Sequence, residues 1–344
     1  MTAASISIPP PSVPAAASHG GSRRAVIAAL VANLGVAIVK LIGFAITRSA
    51  GLLAEAGHSF ADTGNQVLLL VGSRRARQPR DAEHPFGYGR ERYFWSFVVA
   101  LVLFSLGGMF AVYEGIDKFI HPHEATSLLV AFGILILCAV IEGFSLRTAL
   151  REARAVRPPQ QSWWRFIRDA KEPELTVVLL EDSGAQAGLL IAMAGVLVAH
   201  ITGNPRWDAV GSIAIGVLLI VIASVLAVEM KGLLIGESAS PAVRQQIREA
   251  LSSSTPVSRV IHLRTEHLGP NELLVCAKCE FDRTLTFAEV AAAIDVTEQM
   301  VRRAVPAAMH IYIEPDIYRE PDTHREPAAE PPSVYEVIES DPIA

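Results

Sequence analysis

Long unbroken apolar runs dominate the first two thirds of this sequence, and its charged residues fall in bunches between them. Roughly six runs reach the ~20 apolar residues that a bilayer core demands. They lie at about 25–47, 53–73, 93–117, 126–149, 174–200 and 207–235. Met1 to Gly21 is rich in Pro, Ala and Ser without periodicity, and no basic start of the kind that opens a signal peptide precedes it. The pattern therefore predicts a helical membrane protein with an unstructured start.

After Gly236 the periodicity changes. Ser240-Pro241 supplies an N-cap and an N1 proline for a helix through about Leu251. Val257 to Glu266 and Leu273 to Phe281 alternate as strands do, around a turn at Leu268 to Asn271. Thr286 and Glu289 spell a capping box that opens a helix to about Val305, and His310 to Glu314 reads as a last strand. The predicted class is an α-helical polytopic membrane protein of six transmembrane helices with a cytosolic α+β domain, ferredoxin-like in its αββαβ order. In residues, this is a disordered segment 1–24, a membrane domain 25–235, the αββαβ domain 236–318 and a disordered acidic tail 319–344.

Basic residues orient the spans. Arg74, Arg75, Arg77, Arg80, Arg90 and Arg92 follow the second run, and Arg151, Arg154, Arg157, Arg165, Arg168 and Lys171 follow the fourth. The alternate connections hold only Arg48, Lys118 and Arg206. Both arginine-rich loops, and with six spans both termini, are expected in the cytoplasm of a multi-pass protein, with the plasma (cell) membrane as the expected location.

Composition narrows the class further. The chain is 51% hydrophobic, which puts it above an ordinary soluble domain. A net charge of −5, with no basic face carrying interleaved aromatics, argues against a nucleic-acid partner. Three cysteines cannot build a disulfide framework.

The chemistry concentrates in Ala54 to Gln66, where a membrane-length run carries His58 and Asp62 four residues apart. On a helix that spacing puts both on one face. Ionisable groups at such depth are costly and point to function, and imidazole with carboxylate is half of a divalent-metal site. A plain hydrogen-bonding pair, with Asn65 further along the stripe, is the other reading. Asp182 is the second intramembrane carboxylate. Glu181 precedes it about 100° round the helix, and Glu142 lies at a similar depth in the fourth run, reading either as ligand support or as structural. Neutral His58 with ionised Asp62 and Asp182 carries two negative charges, which a divalent cation or protons would cancel. That is the chemistry of cation/proton exchange.

These residues, the loop HPFGYGRERYFW (His84 to Trp95) and the αββαβ tail together resemble the cation diffusion facilitator (cation efflux) family, in the divergent branch that includes the mitochondrial zinc transporter. The resemblance covers about Ala25 to Asp316. It implies a homodimer of six-span protomers in the lipid bilayer. It also implies a tetrahedral site of two residues from span two and two from span five, exporting metal against protons. The family's fifth-span pair has His or Asp four residues before an Asp, where this chain has Val178. Expected ligands are then His58, Asp62 and Asp182, with Glu142 ahead of Glu181 for the fourth place. The loop before span five has no histidine, and Lys278, Tyr312 and Glu314 stand where His, His and Asp are common. The tail is therefore assigned to dimerisation.

The remaining signals are weaker. Cys276 and Cys279 form a lone CxxC whose members point to opposite faces of a strand. His121, His123, His262, His267 and His310 carry little individually. The reading is an exporter of Zn2+ by proton antiport, with Mn2+ or Fe2+ also possible, and not an enzyme. A transport-deficient metal-binding scaffold is the alternative, and an intramembrane metalloenzyme lacks any HExxH-type motif.

Overall fold

The computed structural model describes residues 19–47, 50–122 and 128–320. Expectations for the first eighteen residues, for Arg48 and for His123 lie outside them, as does most of the acidic tail. α1 (His19–Thr47), α2 (Ala50–Arg75), α5 (Leu128–Val156), α7 (Pro173–Thr202) and α8 (Arg206–Ile235) are single long helices. The third expected span is continuous from Glu91 to Ile120. It is built of α3 (Glu91–Val102), a π-helical stretch (Leu103–Met109) and α4 (Phe110–Ile120). Ser105 donates to Leu101 O at 2.8 Å there, a side-chain bond that competes with the helix ladder.

Among the described residues, five helices are long and apolar enough to cross a membrane: α1, α3 with α4, α5, α7 and α8. α2 is not among the five. It has 26 residues, but Asp62, Thr63, Asn65 and Gln66 interrupt its apolar run. Its place is nevertheless inside the bundle, packed on α1 and α3. Its Leu69 joins Val26 of α1, Val99 of α3, Ala149 of α5, Val177 of α7 and Leu226 of α8 in one buried core. Large apolar side chains also face outward: Val31 is 64% exposed and Phe144 and Val228 are 67% exposed. Outward apolar faces of this kind suit lipid, not water.

Helix limits differ from the sequence reading at several ends, among them α2, whose last turn carries Arg74 and Arg75. α1 begins at His19, so residues 19–24 are helical. α5 continues to Val156, which puts Arg151 and Arg154 on a helix, and a short α6 (Trp163–Asp169) follows, capped by Ser162. Arg92, read as a loop arginine, lies in α3 and is buried.

Contacts divide the chain into two units. One holds residues through Val243 with Thr265–Leu274 and Ala307–His310, and the other holds Arg244–Arg264, Val275–Pro306 and the chain from Ile311. The tail elements are α9 (Pro241–Ser252), β1 (Val257–Gly269), β2 (Glu272–Phe281), α10 (Phe287–Ala304) and β3 (Ala308–Pro315), in sheet order β1-β2-β3. A two-residue turn makes β1 and β2 antiparallel. β2 and β3 run parallel, since Leu273 N bonds Ala307 O at their starts and Asp316 N bonds Cys279 O at their ends. Local chemistry accounts for the helix starts: Ser240 Oγ accepts from Val243 N at 3.3 Å, and the Thr286–Glu289 capping box is complete.

Candidate metal centre

α2 presents Asp62, Asn65, Gln66 and Leu69 along one side, as spacings of three and four residues require. Asn65 and Gln66 are closed to solvent and Asp62 is half-buried. Glu181 of α7 faces this stripe. Asn65 Nδ2 donates to Glu181 Oε1 at 3.3 Å and Gln66 Nε2 donates to Oε2 at 2.6 Å. Asp182, the next residue, is turned by the helix to another neighbour: Ser145 Oγ of α5 donates to Asp182 Oδ2 at 2.6 Å. Glu142, one turn from Ser145 on α5, lies within electrostatic reach of Asp182, Asp62 and Lys40. Glu181 is similarly within reach of Asp62 and Asp182. Asp62 and Asp182 are thus each within electrostatic reach of both Glu142 and Glu181, and Lys40 of α1 is a nearby cation that also donates to Ser59 at 3.2 Å. Such an accumulation of negative charge in a low-dielectric interior favours cations, whether metal or proton.

His58 lies on α2 one turn before Asp62, but its side chain is outside the described residues. Among the described residues no three His, Cys, Asp or Glu side chains form a metal-holding group. Val178, one turn before Asp182, is fully buried and offers no donor. Gly184 and Gly188 abut Ile222 and Ile215 of α8, as close helix packing requires.

Sequence reasoning passed over Gln66 and Ser145. Gln66 is four residues beyond Asp62 and Ser145 three beyond Glu142, so helical spacing alone would have flagged both.

The other candidates stand apart. His121 pairs with Asp117 at 3.2 Å on an exposed surface, and His262 is exposed. Along β2 burial alternates strictly, so Cys279 is buried and Cys276 only partly. Burial pushes the Cys279 thiol up to about 11. Lys278 sits 3.0 Å from Glu314 and 3.3 Å from Asp316, so an ammonium already occupies the place between these acids.

Residues 26–235 match the cation efflux transmembrane domain, and residues 239–318 match the cation efflux protein cytoplasmic domain. The chain is 32% identical over 263 residues to the mouse (Mus musculus) protein named proton-coupled zinc antiporter SLC30A9, mitochondrial, covering 76% of this chain and 46% of that one. It is 30% identical over 262 residues to metal tolerance protein C4 of Arabidopsis thaliana, covering 76% and 57%. It is 27% identical over 238 residues to magnetosome protein MamM of Magnetospirillum gryphiswaldense, covering 68% of each. The chain spans about half the length of the first two relatives. Matched in order by the family's transmembrane and cytoplasmic domains, the chain belongs to the cation efflux family, and its mouse relative is named as an antiporter and not as an enzyme.

Proposed function

We propose that this protein exports a divalent metal, zinc first, in exchange for protons. The ion is held by His58, Asp62 and Asp182, with Glu142 completing the shell. What supports the reading is that Asp62, Glu142 and Asp182, from three helices, lie within electrostatic reach of one another, with Glu142 and Asp182 buried. Glu142 is the better fourth donor, because its Oε2 has no hydrogen-bond partner among the described residues. Both oxygens of Glu181, in contrast, are engaged by carboxamides. An imidazole beside carboxylates suits zinc, while the oxygen donors leave room for Mn2+ or Fe2+. Protons replace the metal on the same carboxylates when it leaves, which supplies the coupling. The relative named a proton-coupled zinc antiporter supports both halves.

Residues 25–235 form the transport domain and 236–318 a dimerisation domain in this proposal, with segments 1–24 and 319–344 outside both. The plasma (cell) membrane, with both termini cytoplasmic, is the proposed location; the mouse relative's name places that protein in mitochondria. The test is zinc accumulation by proteoliposomes under an imposed pH gradient. Gradient-dependent uptake that Asp62→Asn and Asp182→Asn abolish supports the exporter. Zinc binding without uptake would support instead a scaffold that Val178 has disabled.

A further inference from the structure

Asn65 and Gln66 are among the most enclosed polar residues of the bundle, at 1% and 0% exposure. Each spends a carboxamide N–H on Glu181. That fixes which end of each amide faces α7, because a reversed amide would set its carbonyl oxygen against a carboxylate. Asn65 Oδ1 and Gln66 Oε1 are left facing elsewhere, and neither has a hydrogen-bond partner among the described residues. Glu142 Oε2 is in the same condition. All three are acceptors, and buried acceptors are unfavourable until a donor or a cation meets them. Asn65 and Gln66 follow Asp62 by three and four residues, one helical turn nearer the Arg74–Arg75 end of α2 and on the same face.

We infer that Asn65 and Gln66 form a neutral oxygen station for the cation, one turn from Asp62. It holds a divalent ion that still keeps part of its water shell before the carboxylates take it. The inference rests on the transport reading above. A carboxamide oxygen is a hard, uncharged donor of the kind that binds hydrated divalent ions loosely, so it captures without trapping. Glu181 serves this station by holding the N–H ends, which keeps the oxygens turned away from α7. A role as a plain clamp between α2 and α7 uses only the N–H ends, and so behaves differently on substitution.

The experiment compares Gln66→Leu with Gln66→Glu in the whole chain, reconstituted in liposomes under a fixed pH gradient. Zinc uptake is followed against zinc concentration. Glutamate keeps an oxygen donor but charges it and loses the N–H, whereas leucine loses both. Gln66→Leu is expected to raise half-saturating zinc about tenfold while the maximal rate stays within about twofold, and Gln66→Glu, which puts a charged oxygen in place of the neutral one, to lower half-saturating zinc while slowing the maximal rate. Equal impairment of both variants, in maximal rate and thermal stability, would assign the residue to the clamp and overturn the inference. So would unchanged half-saturation in Gln66→Leu, while wild-type uptake left the transport reading standing. If the wild type moves no zinc, the transport reading falls. Zinc calorimetry on the same detergent-solubilised variants then decides the station alone, with weaker binding by Gln66→Leu than by Gln66→Glu in its favour and equal binding against it. Gln66→Met, closer in shape, replaces Gln66→Leu if the latter loses its monodisperse elution.

Discussion

Arg92 on α3 and Glu174 in the first turn of α7 meet as a two-point ion pair. Arg92 Nη2 donates to Glu174 Oε2 at 2.5 Å, and Nε donates to the other carboxylate oxygen. Their exposures of 9% and 3% place this pair inside the bundle, so it behaves as a buried bridge and not as a surface one. Removing one member leaves the other charge buried without a partner, which costs about 3–5 kcal/mol. Arg92→Met and Glu174→Gln should each lower the thermal stability of the purified protein by about that amount. The double variant with methionine at both positions should recover most of the loss. Single variants that cost less than about 1 kcal/mol, the range of exposed pairs, would show that the bridge holds nothing.

Ser145 orients Asp182 through the 2.6 Å hydrogen bond and is not itself placed among the ligands. Losing a partner that orients a metal-binding carboxylate typically costs about 10–100-fold in affinity or activity. Ser145→Ala should weaken zinc binding within that range, and Ser145→Thr, which keeps the hydroxyl, should restore most of it. Calorimetry on the two variants checks the expectation. Full affinity in the alanine variant would detach Ser145 from the site.

The two glutamates of the cluster should separate on substitution. Glu142→Gln removes an unengaged carboxylate oxygen, whereas Glu181→Gln alters a group already bonded to Asn65 and Gln66. Zinc affinity across pH is expected to fall, or its pH dependence to flatten, more for Glu142→Gln. The reverse order would make Glu181 with Asp182 the ligand unit of α7.

His267 of β1 is 8% exposed, and burial, helped by the Lys171 charge, lowers its pKa from 6.5 to about 4; Glu237 acts the other way. The folded protein therefore binds this proton less readily than the unfolded chain. The associated stability is complete above pH 6.5 and is lost as pH falls toward about 4. A shift of this size corresponds to roughly 3 kcal/mol. His267→Leu should make the thermal stability of the protein less steeply pH-dependent across that window. Identical slopes in the two proteins would exclude His267 as a source of acid sensitivity.

α8 and the long helix that holds α3 and α4 approach each other through glycine. A Cβ on Gly216 of α8 would stand 2.7 Å from Val112 N and 2.6 Å from Val112 Cγ2, and one on Gly108 would stand 3.0 Å from Ile220 N. Backbone cannot yield as a flexible side chain can, so Gly216→Val should displace α8 from α4. Overpacking of a tight contact costs about 1–3 kcal/mol. The readout is thermal stability with limited proteolysis, and a variant as stable as wild type would mean that the helices part easily.

Much of this molecule is legible without its structure, wherever the cause is local. Apolar run length marks the spans, and Ser240 and the Thr286–Glu289 box mark the starts of α9 and α10, because a cap acts within a single turn. Four-residue spacing is enough to put His58 and Asp62 on one face of α2, and the cost of burying charge is enough to single out Asp182 and Glu142. What tertiary structure alone decided is the partner of each group. Charge counting put Arg92 in a loop, yet it turns inward to Glu174. Glu181 and Asp182 are neighbours in sequence, yet Asn65 and Gln66 engage one and Ser145 the other. Helical geometry sets the angle between two side chains on one helix but not the rotation of that helix against its neighbours. That rotation is set by packing between residues far apart in the chain, such as Gly216 against Val112, and no local spacing encodes it.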